Sequence, residues 1–385
     1  MIFKLNTLYK RDSNGKIREY TIEWSGNCNE LGTHGVLTPG YRTVAGIQGG
    51  KMVTSEWKLT EGKNIGKVNE TSPLEQAEKE AIAKWEKKEE KEYFEDIEKV
   101  DSYDKFKPML AHDYTKRAHG SQAFSQPKLD GIRCIATKDG LFTRAGKAIT
   151  TCSHIENDLK EFFESEPDII LDGELYNHEL KADFNKITSL VRKVKPTAEE
   201  AQECHEKVQY HIYDCYDKNN PDAIFSVRTF WLDNDIAIGE DIQPDEYSLR
   251  FVETSWCDNQ TAINNCYKYY LRKGYEGQMI RNDTPYENKR SRNLLKRKEF
   301  ITEEFEVLEV LEGQGNWAGY AKHFVLTDGD NTFKSGVRGN QETLKALLEQ
   351  EVKPTWVTCR YFERSVDNIP RFPVVIDWGN GERND

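Results

Sequence analysis

The sequence predicts an α+β fold in three parts: a small β-rich region with one helix over residues 1–104, a larger mixed region over 105–300, and a small barrel over 301–385. Three observations carry this. Residues 1–70 alternate apolar and polar positions in short runs, which is strand periodicity. Residues 105–300 interleave such runs with segments of helical spacing. Beyond 301, short strands, one helix and glycine turns return.

In Arg18–Trp24, Tyr20, Ile22 and Trp24 alternate with polar neighbours, and Val53, Ser55, Trp57 and Leu59 fall on one face of a later strand. Ser72-Pro73-Leu74-Glu75 opens a helix with an N-cap serine, proline at the first position and a capping-box glutamate. Leu74, Ala77, Ala81 and Trp85 follow at helical spacing. The run Glu86–Glu92 then reads as a solvated face, and residues 86–104 as a link. In the central region, Phe124–Ile135 suits a strand–turn–strand, and Ser153–Glu156 reads as a second capping box with Ser153 as N-cap. Asp168–Leu175 and Tyr210–Tyr213 are buried strands, and Ala262–Lys273 is a helix closed by Gly274. Phe305–Val307 and Trp356–Tyr361 are strands around a helix near Thr343–Leu348, a mixture that fits a barrel of the OB type.

Charged residues make up 31% of the 385 and hydrophobic ones 37%, the balance of a soluble globular chain. No apolar run approaches the length of a membrane span, and Met1–Lys4 lacks a signal-peptide profile. A cytoplasmic protein without membrane contact, and a monomer, is expected. The eight cysteines form no CxxC pair and no zinc spacing, so reduced thiols are expected. The net charge of −12 argues against a general polyanion binder. A nucleic-acid partner needs a local basic surface, and Lys289–Lys298 supplies one, with six of ten residues Lys or Arg.

Six short motifs follow one another: KLDGIR at Lys128–Arg133, TRAG at Thr143–Gly146, LDGEL at Leu171–Leu175, YHIYD at Tyr210–Asp214, EGQMIR at Glu276–Arg281 and LLKRK at Leu294–Lys298. An Asp-Gly hairpin would account for the first alone. In this order the six resemble the covalent nucleotidyltransferases, and within them the ATP-dependent DNA ligases, over residues 108–378. The resemblance implies a nucleotidyltransferase (adenylation) domain followed by a C-terminal OB-fold. Separately, Glu61–Lys67 and the helix after it resemble the WGR-type module, a small nucleic-acid-binding domain; a scaffold or docking domain remains the other reading of residues 1–104.

The resemblance implies that Lys128 attacks ATP. A lysine amine is nucleophilic only when uncharged, and its ordinary pKa is about 10.4. Burial and neighbouring cations lower such a value, and Lys296 and Lys298 would be those cations if the fold gathers the motifs. Glu174 and Glu276 would contact ribose or hold Mg²⁺, and Asp130 would bind metal or orient the lysine. Tyr213 takes the position that stacks on the base. Gln126 stands where the family often carries glutamate, and its amide can both donate to and accept from adenine. Arg133 and Arg144 resemble arginines that face the nick phosphate and the nucleotide sugar, a task that suits the planar guanidinium. Lys289, Arg290 and Arg292 would flank the DNA backbone, and Arg338 and Arg371 would contact substrate from the barrel. The expected function is an ATP- and Mg²⁺-dependent ligase of nicked duplex DNA. An RNA ligase, an mRNA-capping guanylyltransferase and a catalytically inactive scaffold are the alternatives.

Overall fold

The structure, a computed structural model, describes residues 1–12, 14–28, 38–101, 106–117, 120–181, 184–235, 248–365 and 367–381. The expected boundary at residue 104 lies outside them. The chain divides into two compact units, Lys105–Glu299 and one composed of Met1–Asp104 with Phe300–Asp385.

The N-terminal sheet comprises β1 (Ile2–Lys4), β2 (Leu8–Arg11), β3 (Ile17–Ser25), β4 (Gly40–Ile47), β5 (Met52–Thr54) and β6 (Lys58–Leu59), all antiparallel around β3 and β4. Leu8, Tyr20, Ile22 and Tyr41 form its core with Ala81 of helix α1 (Pro73–Glu89). The helix starts where its capping signature says: Glu75 N–H donates to Ser72 Oγ, and Ser72 N–H donates to Glu75 Oε2. A cap of this kind contributes about 1 kcal/mol. Two expectations fail. Val53 and Leu59 do not share a strand, because β5 ends at Thr54 and β6 begins at Lys58, each pairing separately with β4. Trp57, between the two, takes the Arg42 guanidinium over its ring at 4.4 Å. Residues 90–101 are no free link either: Phe94 pairs with Tyr9, and Asp101 accepts two bonds from Arg11, each of 2.7 Å.

The central unit contains β7 (Leu110–Asp113), β8 (Ala123–Lys128), β9 (Ile132–Thr137), β10 (Gly140–Thr143), β11 (Ile169–Tyr176), β12 (Gln209–Asp217), β13 (Leu249–Phe251), β14 (Ser255–Cys257), β15 (Gly277–Arg281) and β16 (Arg290–Lys298). They form two mixed five-stranded sheets, ordered β10-β9-β11-β12-β13 and β14-β8-β15-β16-β7. The helices are α2 (Ser153–Asp158), α3 (Lys160–Ser165), α4 (Phe184–Val191), α5 (Ala198–Lys207), α6 (Phe225–Asp235) and α7 (Gln260–Lys273). Ile155, Ile187, Leu190 and Cys204 from α2, α4 and α5 pack with Cys134, Leu171 and Ile212 of the first sheet. Ile263 of α7 packs with Ala123, Ile280 and Leu295 of the second. Asn259 caps α7 through the Ala262 N–H at 2.9 Å, and Gly274 ends it at φ 85°, a left-handed position open to glycine. The capping box expected at Ser153 does not form. Cys152 is the cap residue, without a side-chain bond, and Glu156 instead accepts from the Leu141 N–H at 3.4 Å.

The last region is a closed barrel of β17 (Ile301–Glu312), β18 (Ala321–Thr327), β19 (Thr332–Val337), β20 (Trp356–Tyr361) and β21 (Val374–Gly379), ordered β17-β18-β19-β21-β20. Helix α8 (Gln341–Glu349) adds Leu344 and Leu347 to its core. β17 runs far beyond Phe305–Val307, because its exposed glutamates 304, 306, 309 and 312 dilute the apolar signal. All eight cysteines are free thiols. Among the described residues no helix is long and apolar enough to cross a membrane.

Candidate active site

Strand register gathers the motifs. β15 lies between β8 and β16, so Gly277 stands opposite both Lys128 and Lys298. Two residues on, Met279 stands opposite Gln126 and Lys296, and then Arg281 opposite Phe124 and Leu294. Residues paired across strands, and residues two apart along one, share a face. Lys128, Gln126, Lys296, Lys298 and Arg281 therefore project from the same side. Glycine is required at 277, where a Cβ would stand 2.1 Å from the Arg297 carbonyl oxygen.

The facing residues come from the other sheet, where Glu174 of β11 stands opposite Arg133 of β9. Between β11 and β12 the register shifts: Asp214 opposes Asp172, but Ile212 opposes Gly173. Tyr213 is thus the extra residue of a β-bulge, which turns its side chain out of the regular alternation. Its carbonyl accepts from Gln126 Nε2 at 2.9 Å. The same Nε2 donates to Thr254 Oγ1 at 2.8 Å, so both Gln126 N–H bonds are taken inside the protein. The adenine contact expected of Gln126 therefore has no free donor, and its amide instead holds the bulge.

A cavity of about 210 Å³ opens between these residues, lined by Gln126, Lys128, Arg133, Arg144, Glu174, Tyr213, Arg281, Arg290 and Lys296 among others. Lys128 Nζ pairs with Glu276 Oε2, while Lys298 Nζ reaches Glu276 Oε1 at 3.2 Å. The sequence predicts cations around Lys128; the structure adds a nearly buried carboxylate, Glu276, paired with Lys128 itself and with Lys298. Burial, and then the charges of Lys128 and Lys298, hold the Lys296 amine below its ordinary pKa. Burial pushes the Glu174 carboxyl up to about 7; Lys128 and Arg133 pull against it, while Glu276 and Asp172 add to it.

Residues 108–298 match the family model of the ATP-dependent DNA ligase domain. The chain belongs to the ATP-dependent DNA ligase family. The DNA ligase of African swine fever virus is 24% identical over 344 residues, 83% of this ligase and 78% of its own length. That of Haemophilus influenzae is 24% identical over 270 residues, 69% and 89% of the two chains. Among solved structures, a Lig E DNA ligase aligns at a TM-score of 0.56 and 22% identity, covering 70% of this chain and 98% of its own. Another, named Pmar-Lig_Pre, aligns at 0.60 and 22%, covering 73% and 71%. These two bear on the fold, the mixed sheets of a ligase adenylation domain. Family membership makes the protein a DNA-joining enzyme that consumes ATP through a covalent lysyl-AMP intermediate.

Beneath the ligase's cavity lies a buried charge network that motif reading missed. Asp214, fully buried, accepts from Arg228 Nε at 2.8 Å and from Arg281 Nη1 at 2.6 Å, and Arg281 Nε donates to Gln126 Oε1 at 2.8 Å. Asp172 accepts from Arg133 Nε at 2.9 Å and from the Tyr286 hydroxyl at 2.7 Å. Asp172, Asp214 and Arg281 lie inside quoted motifs, whereas Arg228 and Tyr286 carried no signal of their own. Some expected site residues stand apart. Asp130 does not line the cavity, and its charge acts on the Tyr176 hydroxyl. Lys289 pairs with Glu287 at 3.0 Å, and Arg292 is exposed. In the barrel, Arg338 is exposed beyond β19, and Arg371 pairs with Glu363.

No group of three or more His, Cys, Asp or Glu able to hold a metal occurs among the described residues. Magnesium with a nucleotide takes only one or two protein carboxylates, the rest coming from phosphate and water. Glu174 and Glu276 fit that requirement. The raised Glu174 value also has a consequence for stability. Its folded pKa of about 7 exceeds the ordinary carboxylate value of 4.5, so its ionisation costs stability, and the cost grows as pH rises from 4.5 through 7. Glu174→Gln, without nucleotide or metal, is therefore expected to melt higher than wild type above pH 7, with the gap closing toward pH 4.5. Thermal melts across that range check this, and a gap independent of pH contradicts it.

Proposed function

We propose that the enzyme seals nicks in duplex DNA, acting as a cytoplasmic monomer, with Lys128 as its nucleophile. The observation that carries this reading is the Lys128 amine held by Glu276 beside Lys296 and Lys298, at a cavity whose lining includes Tyr213. Lys128 Nζ forms a bond to the α-phosphorus of ATP, and the bond to the β-phosphate oxygen breaks, so pyrophosphate leaves with the electron pair. The Lys128 proton passes toward Glu276, whose Oε2 already accepts it. Lys296 and Lys298 neutralise phosphate charge, which is most of what such transfers require. A 5′-phosphate oxygen of the nick then takes AMP, restoring the amine, and the 3′-hydroxyl displaces AMP to close the backbone.

Tyr213 stacks on adenine, turned by its bulge and held by Gln126. Glu174 faces the ribose and, with Glu276, would hold magnesium, which supplies charge neutralisation at the leaving phosphates. Arg133, fixed by Asp172, and Arg144 face sugar and nick phosphate. Asp130 is a positioning residue near the lysine. Lys289, Arg290 and Arg292 follow the DNA backbone, and Arg338 and Arg371 reach it from the barrel, which we read as an OB-fold over residues 301–385. Residues 105–300 form the adenylation domain, and residues 1–104 a WGR-like module for additional duplex contact. The test is sealing of a nicked DNA duplex beside the same nick in RNA, with ATP or GTP. Sealing of DNA with ATP is expected. An adduct formed only from GTP, or sealing confined to RNA, overturns the reading.

A further inference from the structure

The stripe of α1 that buries Ala77 and Ala81 against the N-terminal sheet continues at helical spacing as Lys84 and Lys88, with Lys91 just past the helix end. Instead of pointing into solvent as the charge run suggested, Lys88 lies with its Nζ 4.4 Å from the Tyr20 ring centroid and 4.7 Å from that of Tyr93. Lys84 Nζ stands 5.3 Å from the Tyr41 ring. Across β2 and β3, Lys10 is directly opposite Arg18, a like-charge pair. The nearby carboxylates are engaged: Glu92 by Lys10, and Glu80 by Lys58 and Lys63. Glu86 and Glu90 follow Lys84 and Lys88 by two positions, on the helix's other side.

Lys84 and Lys88 thus sit against tyrosine rings without a carboxylate partner among the described residues, in a chain whose net charge is −12. Burial lowers the Lys88 amine, and Lys91, Lys10, Arg18 and Lys84 lower it further, so the cations sense one another. Partly desolvated like charges are unfavourable alone and become favourable when a polyanion supplies the missing charge.

We propose that this face, built from Arg18, Lys84, Lys88 and Lys91 around Tyr20, Tyr41 and Tyr93, binds the phosphate backbone of duplex DNA. It rests on the DNA-joining reading above and adds an anchorage separate from the adenylation cavity. Contacts to phosphate oxygens read no bases, so the binding is independent of sequence and dependent on salt.

The experiment measures binding of full-length enzyme to a nicked duplex over a salt series, with DNA-free adenylation by ATP as control. The paired substitutions Lys84→Gln and Lys88→Gln are expected to weaken binding about tenfold and to flatten the slope of log K against log salt by about two, since each lost phosphate contact removes about 0.9. Lys84→Arg with Lys88→Arg keeps affinity and slope. Arg18→Gln with Lys91→Gln, at exposed positions, reads the same slope if the first pair fails to fold. Adenylation is unchanged throughout; its absence in wild type would indict the catalytic reading, leaving the slopes to judge this one. Unchanged affinity in both glutamine pairs overturns the proposal, as does weakening without a change of slope. A loss of binding to poly-glutamate but not to DNA would assign an acidic protein partner and also overturns it.

Discussion

Lys128→Ala is expected to form no covalent AMP adduct when incubated with ATP labelled at the α-phosphate, and to lose nick sealing by more than about four orders of magnitude. Lys128→Arg should fail equally, although it keeps a cation for Glu276, because a guanidinium stays protonated and offers no lone pair. Both variants should retain far more activity on a nick already carrying AMP at its 5′ end, because there the 3′-hydroxyl is the nucleophile. That split distinguishes loss of the nucleophile from collapse of the site. Equal loss in both assays would point to misfolding, and an intact adduct would remove Lys128 from the chemistry.

Asp214→Ala is expected to cost on the order of 3–5 kcal/mol, because it strands Arg228 and Arg281, 4% and 3% exposed, without their shared anion. Against a total of about 5–15 kcal/mol for a folded domain, that is a large fraction. The urea midpoint should fall steeply. Adding Arg228→Met should recover part of the loss, since one of the two uncompensated charges is then gone. A midpoint unchanged by Asp214→Ala would mean that water or a neighbouring group already carries these charges.

The sequence told more about which residues matter than about how they meet. Lys128, Glu174, Tyr213 and Lys296 were legible because their motifs sit on strands whose residue types announce them, and the cavity is lined by all four. The Lys128–Glu276 pair was not legible, because it joins positions 148 apart and depends on the register of β8 with β15. A one-residue slip in that register would turn Lys128 to the other face. The bulge at Tyr213 was equally hidden, since an extra residue in one strand leaves no mark on local alternation. Local rules failed where tertiary partners outbid them. Glu156 answers the Leu141 amide rather than capping α2, and Lys88 lies on two tyrosine rings rather than in solvent. By contrast Ser72, Asn259 and Gly274 bound their helices as expected, because those interactions close within a few residues.

The most direct test of the central claim is to adenylate the full-length enzyme with ATP and magnesium, digest it, and locate the AMP by mass spectrometry. The expected result is a single modified peptide spanning Gln126–Arg133, with the nucleotide on the Lys128 side chain. AMP on any other residue, or an enzyme that seals nicks without carrying the adduct, would contradict the account.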